Sequence, residues 1–190
     1  MARKQDNPDI SYLKGLSDRE KARELVEELR KKEDCDEALC LWLIAAGADM
    51  KAREYYTGYA PLTVAAVEGR LKIAEAMLDA GANVNRREEQ KMTALMWAVQ
   101  NENQDMVRLL VKRGASVNLR NEALDSALNI AQNKGRSDIA YLLIRNGANE
   151  NVLTKAERRG IEDYVRTIFK DAASQGTSKT RKIIRPKVTP

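Results

Sequence analysis

Ala60-Pro61-Leu62-Thr63-Val64-Ala65-Ala66 and, after Gly69, Leu71-Lys72-Ile73-Ala74-Glu75-Ala76-Met77-Leu78, closing on Gly81-Ala82-Asn83-Val84-Asn85, form the stretch that decides the fold. Residues 61–66 predict a short helix with small side chains on one side. Gly69 breaks that helix, and the second segment has apolar positions at helical spacing. Gly81 sits just past its end, where a left-handed residue closes a helix at least cost. The same grammar recurs. Gly47, Gly81, Gly114 and Gly147 are 34, 33 and 33 residues apart. Leu62, Leu95 and Leu128 are spaced by 33 and 33, as are Ala65, Ala98 and Ala131. Two unrelated markers share one period, so the chain is a repeat array.

The later copies read Thr93-Ala94-Leu95-Met96-Trp97-Ala98-Val99 with Met106-Val107-Arg108-Leu109-Leu110-Val111, and Ser126-Ala127-Leu128-Asn129-Ile130-Ala131 with Ile139-Ala140-Tyr141-Leu142-Leu143-Ile144. Thr93 and Ser126 are placed to cap their first helices. A helix pair this short cannot bury its apolar stripe alone, but stacked copies share one continuous core. Ser17-Asp18-Arg19-Glu20 and Thr154-Lys155-Ala156-Glu157 are capping boxes that open a helix at each end of the array. The first helix runs through Leu25, Val26 and Leu29, and the last carries Ile161, Tyr164, Val165 and Ile168 on one face.

These units resemble ankyrin repeats, whose pattern carries Thr-Pro-Leu-His-x-Ala and ends in Gly-Ala-Asp-Val-Asn. The matching residues are Ala60 to Ala65, Gly81 to Asn85 and Gly114 to Asn118. The resemblance implies an all-α ankyrin-repeat solenoid of stacked helix pairs with projecting hairpin loops. It divides the chain into an extension at 1–16, a degenerate cap repeat at 17–54, and repeats at 55–87, 88–120 and 121–153. A capping helix at 154–173 and a basic, flexible tail at 174–190 complete it. There are departures. The motif histidine is Thr63, Met96 and Asn129, and the hairpin-tip glycine survives as Gly58 but becomes Lys91 and Leu124. Glu102 replaces the glycine between the helices of one repeat, where Asn101 and Asn103 beside it tolerate left-handed backbone better. The hairpin before Leu62 holds one extra residue, 15 positions from Gly47 against 14 in later repeats.

Composition excludes most chemistry. The chain has 190 residues and no histidine, which removes serine–histidine and cysteine–histidine hydrolysis and histidine-based zinc sites. Cys35 and Cys40 are too few for a disulfide framework or a thiolate metal site. Cys40 lies on an apolar stripe with Leu39 and Leu43, and an inert thiol is the expectation. Trp42 and Trp97 fall within apolar helical segments and are expected in the core. No phosphate-cradling glycine loop is present. An enzyme is therefore not expected, and neither is a cofactor. The longest apolar run, Leu39 to Ala48, is half the roughly 20 residues that span a bilayer. With no apolar leader after Met1, the expectation is a cytoplasmic monomer, with the nucleus as the alternative compartment.

Lys plus Arg is 33 and Asp plus Glu is 28, a formal charge of +5. Lys179, Arg181, Lys182, Arg185 and Lys187 supply all of it, so residues 1–175 are formally neutral. This tail suits a nucleic-acid or nuclear role, the alternative function, although it has no aromatic residue for base stacking. The favoured reading is a non-catalytic adaptor, inhibitor or effector that binds another protein. Tyr55, Tyr56 and Tyr59 cluster at a hairpin tip, and tyrosine is enriched at binding hot spots. The resemblance places Val67, Glu68, Glu89, Met92, Gln100 and Asn101 on the same concave hairpin and first-helix surface, with Gln90, Glu122 and Asp125 beside them.

Overall fold

The computed structural model describes residues 15–31, 34–53 and 58–174. Among these the backbone is helical. An isolated bridge between Arg120 and Ser126 is the β-pairing found there. The elements are α1 (Asp18–Leu29), α2 (Glu37–Ala45), α3 (Pro61–Val67), α4 (Leu71–Asp79), α5 (Ala94–Gln100), α6 (Gln104–Lys112), α7 (Ala127–Asn133), α8 (Ser137–Arg145) and α9 (Lys155–Ser174). From α3 to α5 to α7 the helix starts advance by 33 residues, and α4, α6 and α8 keep the same step.

Two rows of helices result. One is α1, α3, α5 and α7, each against the next; the other is α2, α4, α6 and α8, with α9 against α8. The first row packs closely because Ala65, Ala98 and Ala131 are fully buried and small. The second row presents Ile73, Ala74 and Met77, then Met106, Val107 and Leu110, then Ile139, Ala140 and Leu143, all buried and all repeated at 33 residues. Their spacing of i, i+1 and i+4 makes one apolar stripe per helix.

Local chemistry ends each helix where the period requires. Thr93 and Ser126 accept hydrogen bonds from the N–H groups of Met96 and Asn129, at 3.3 and 3.3 Å. Ser17 and Glu20 close a reciprocal box at the start of α1, and Thr154 and Glu157 do so before α9. Gly81, at φ 86°, ends α4; its N–H donates to Leu78 and that of Ala82 to Met77. Glu102 departs from the expectation. It takes φ 57° itself, while Asn101 and Asn103 keep negative φ. The turn needs a left-handed residue where Gly69 and Gly135 stand in the neighbouring copies, and position overrides residue preference.

Side chains also tie each copy to the next. Asn85 donates to the Gly114 carbonyl at 3.2 Å and accepts the Ser116 N–H at 2.7 Å. Asn118 repeats this with Gly147 and Asn149, at 2.8 and 2.8 Å. Arg113 of the α6 end reaches Glu75 and Asp79 of α4.

Candidate functional site

The hairpins between the helix pairs and the exposed side of α3, α5 and α7 form one face. Its hairpins are anchored from below by Glu88. This carboxylate is buried, and one of its oxygens accepts the Ala60 N–H at 3.1 Å, the Thr63 hydroxyl at 3.4 Å and Arg86 Nε at 3.1 Å. Thr63 stands where the ankyrin pattern has histidine, so a shorter hydroxyl joins one hairpin to the next. Farther along, the Glu122 N–H donates to the Gln90 carbonyl at 2.9 Å, linking successive hairpins directly.

The two later tips keep a left-handed backbone without glycine: Gln90, Lys91 and Leu124 have φ 54°, 56° and 67°, where Gly58 has 66° in the first. Leu124 is 68% exposed, so an apolar side chain stands in water at a backbone conformation that L-residues disfavour. Glu89, Gln90, Ala123 and Glu122 are exposed around these tips.

Tyr59 does not point outward from its hairpin. It is half-buried against the core, and its ring lies 5.6 Å from that of Trp97 at 52°. Burial raises its phenol above the ordinary value, helped by Glu89 and Glu88. Met92 is a correction as well. It is 7% exposed and belongs to the core, because the residue before the Thr93 cap closes the hairpin over the helix pair. Trp97 lies outside the fully buried core. Every other residue of α5 from Ala94 to Val99 is buried, but Trp97 and, three positions on, Gln100 share the open side. Beside them is a hollow of about 370 Å³ lined by Gln90, Asn121, Asp125, Asn133 and Lys134 together with Met92 and Ile130. The Trp97 indole N–H is buried with no hydrogen-bond acceptor.

Of the residues singled out in the sequence, Tyr59, Met92 and Gln100 thus come together around Trp97, with Glu89 at the adjoining tip. Val67, Glu68 and Asn101 lie at the C-terminal ends of α3 and α5, outside the lining of the hollow. Asn101 is exposed but its amide is engaged, donating to the Val67 carbonyl at 2.9 Å. Tyr55 and Tyr56 lie outside the described residues, as do Lys179, Arg181, Lys182, Arg185 and Lys187. The sequence signal that could have found Trp97 is its i, i+3 pairing with Gln100 on a helix whose other positions are all apolar or small.

Cys40 is fully buried on α2 and Cys35 half-buried before it, both as free thiols. Burial, then Cys35 and the acids Glu28 and Asp36, raise the Cys40 thiol well above its ordinary value. The described residues hold no cluster of His, Cys, Asp and Glu suited to a metal ion, and no helix long and apolar enough to cross a membrane.

Comparison with known proteins agrees with this architecture. Residues 30–121 match the family model of ankyrin repeats in three copies. Inversin of Gallus gallus is 38% identical over 78 residues, which is 41% of this chain and 7% of that protein. Inversin of Homo sapiens is 37% identical over 71 residues, 37% of this chain and again 7% of its own length. The chain therefore spans a small part of the curated relatives it matches. With the repeated helix pairs, the glycine-closed second helices and this family match in hand, residues 30–121 of the chain are identified as ankyrin repeats.

Proposed function

We propose that this chain is a non-catalytic module that binds another protein on the face made by the hairpins and by α3, α5 and α7. Ankyrin repeats in general are protein-interaction modules. The observation that carries the reading is Trp97, a half-buried ring on the open side of α5 that lines an amide-edged hollow. A large aromatic ring there offers contact area at low entropic cost, as binding hot spots do. Tyr59 and Gln100 flank the anchor and Glu89 borders it, and Tyr55, Tyr56, Val67, Glu68 and Asn101 complete the proposed set of contact residues. The hairpins are already held by Glu88 and by each other, so little ordering is lost on association. The working state is a cytoplasmic or nuclear monomer.

The test starts from affinity capture of the partner and then compares variants. Trp97→Phe should weaken binding by about 1 kcal/mol, or roughly fivefold, because the smaller ring covers less of the partner. It should leave the melting temperature equal or slightly higher, since the orphaned donor is gone from the free protein. Tyr55→Ala with Tyr56→Ala should weaken binding by about 2 kcal/mol at constant stability. Tyr59→Ala should lower both, as its ring also packs on Trp97. Unchanged affinity in Trp97→Phe would sink the reading. Neutralising Lys179, Arg181, Lys182, Arg185 and Lys187 separates the alternative: loss of binding there, with steep salt dependence, would place the affinity in the tail.

A further inference from the structure

We propose that the cleft at the α1 end of the stack binds an acidic peptide segment of a partner protein, with one apolar side chain seated on its floor. The cleft encloses about 710 Å³ between α1, the loop after α2 and the start of α3. That volume lies within the range of roughly 300–1,000 Å³ usual for ligand sites. Its floor is Ala22 and Val26 of α1 with Ala52 and Pro61. Its rim is Arg19 and Arg23, one turn apart on α1, facing Lys51 and Arg53 of the loop.

The charge on this rim is available to a ligand. Two acids, Glu27 and Asp49, also line the cleft, but each has an internal partner. Glu27 accepts Arg23 Nε at 3.2 Å, and the Asp49 carboxylate accepts the Lys51 N–H at 2.8 Å. Arg19, Lys51 and Arg53 are exposed and form no ion pair among the described residues. Arg23 and Glu27 pair with each other, and Arg19, Lys51 and Arg53 against Asp49 leave the opening net positive, while the floor is apolar. An acidic segment with one aliphatic anchor satisfies both features; a basic or purely polar one satisfies neither.

The walls are held in place before any ligand arrives. The Asp49 N–H donates to the Asp18 carbonyl at 2.9 Å, and Lys21 Nζ donates to the Ala46 carbonyl at 2.9 Å, fixing α1 to the loop. Arg86 donates to the Lys51 carbonyl at 2.7 Å from the next copy. The cleft shares no lining residue with the hollow at Trp97.

The probe is a short fluorescein-labelled peptide in which Glu and Asp flank one central Leu, titrated with full-length chain and followed by anisotropy. Saturable, salt-sensitive binding is expected. The Arg19→Glu, Arg53→Glu double variant should weaken it at least ~10-fold. Lys112→Glu with Lys155→Glu makes the same change in net charge on α6 and α9 and should leave it within ~2-fold. Exchanging the peptide's Leu for Ser should weaken binding ~5-fold or more through the floor. Trp97→Phe should have no effect, which keeps this site's outcome separate from that of the hollow. Circular dichroism confirms that each variant is folded. No saturable binding, equal binding of a peptide with Lys around Leu, or equal loss in the two charge variants would each overturn the proposal. So would a salt-sensitive dimer of the unliganded chain that Arg19→Glu, Arg53→Glu abolishes, because the occupant would then be a second copy.

Discussion

Leu124 shows how position can override residue preference at the scale of a single side chain. The hairpin tip requires a left-handed backbone, and a leucine supplies it at an intrinsic cost of roughly 1–2 kcal/mol while exposing its side chain. Leu124→Gly should therefore raise stability by about 0.5 kcal/mol, the relief of strain exceeding the added freedom of the unfolded chain. Leu124→Val should lower it by about 1 kcal/mol, since a β-branched side chain fits this region worse. Paired thermal melts decide both signs, and a destabilised glycine variant would mean that the leucine side chain has an unrecognised packing role. Cys40 gives a second prediction. With its thiol pushed up by burial, little thiolate exists at pH 8, so a thiol reagent should label native protein slowly at Cys40 and fast only after denaturation. Rapid native labelling would mean that α2 opens readily.

At the scale of elements, the helices were legible because a 33-residue step in leucines, alanines and glycines is a property of sequence alone. Caps were legible for the same reason: Ser17, Thr93, Ser126 and Thr154 are local signals, and all four cap. The face was less so. Met92 looked like surface because alignment gives a position, not which way the chain turns before a cap. Trp97 looked like core because its flanks are apolar, and the open side of α5 is only two residues wide. Hairpin tips depend on backbone torsions that Lys91 and Leu124 do not announce. The start of α8 offers a test of element energetics. Arg136 holds the Asp138 carboxylate through bonds of 2.9 and 2.6 Å, and the carboxyl consequently sits below its ordinary value. A folded value below the unfolded one means a stabilising contribution that is complete above the ordinary range near ~4 and lost as pH falls from there through the lower folded value. Asp138→Asn should thus be less stable than the parent at pH 7 by under ~1 kcal/mol, with the gap closing near pH 2. Urea melts at the two pH values check this; a gap that widens in acid would refute the assignment.

Across the whole molecule, stability is shared between neighbours rather than concentrated in one centre, as in any stack in which each unit touches only the next. α5 and α6 have copies on both sides, whereas α1, α2 and α9 are flanked on one side only. Amide exchange should accordingly be slowest in α5 and α6 and faster toward α1 and α9. Uniform protection would instead indicate a single cooperative unit. The side-chain rungs at Asn85 and Asn118 strengthen the coupling between later copies, and Lys51 occupies the equivalent place in the first. The first junction relies instead on Arg86 and Arg70, which donate to the Lys51 and Lys31 carbonyls.

The close approach of Tyr59 and Trp97 has an optical consequence. The chain contains two tryptophans, and in Trp42→Phe the indole beside the amide-lined hollow becomes its only one. Light absorbed by Tyr59, 5.6 Å away, passes efficiently to that indole, so excitation at the tyrosine band is read out as tryptophan emission. Any molecule that enters the hollow alters the polarity around the ring. The emission colour and lifetime of Trp42→Phe should therefore report occupancy directly, giving this protein a built-in, label-free gauge of whether its face is filled.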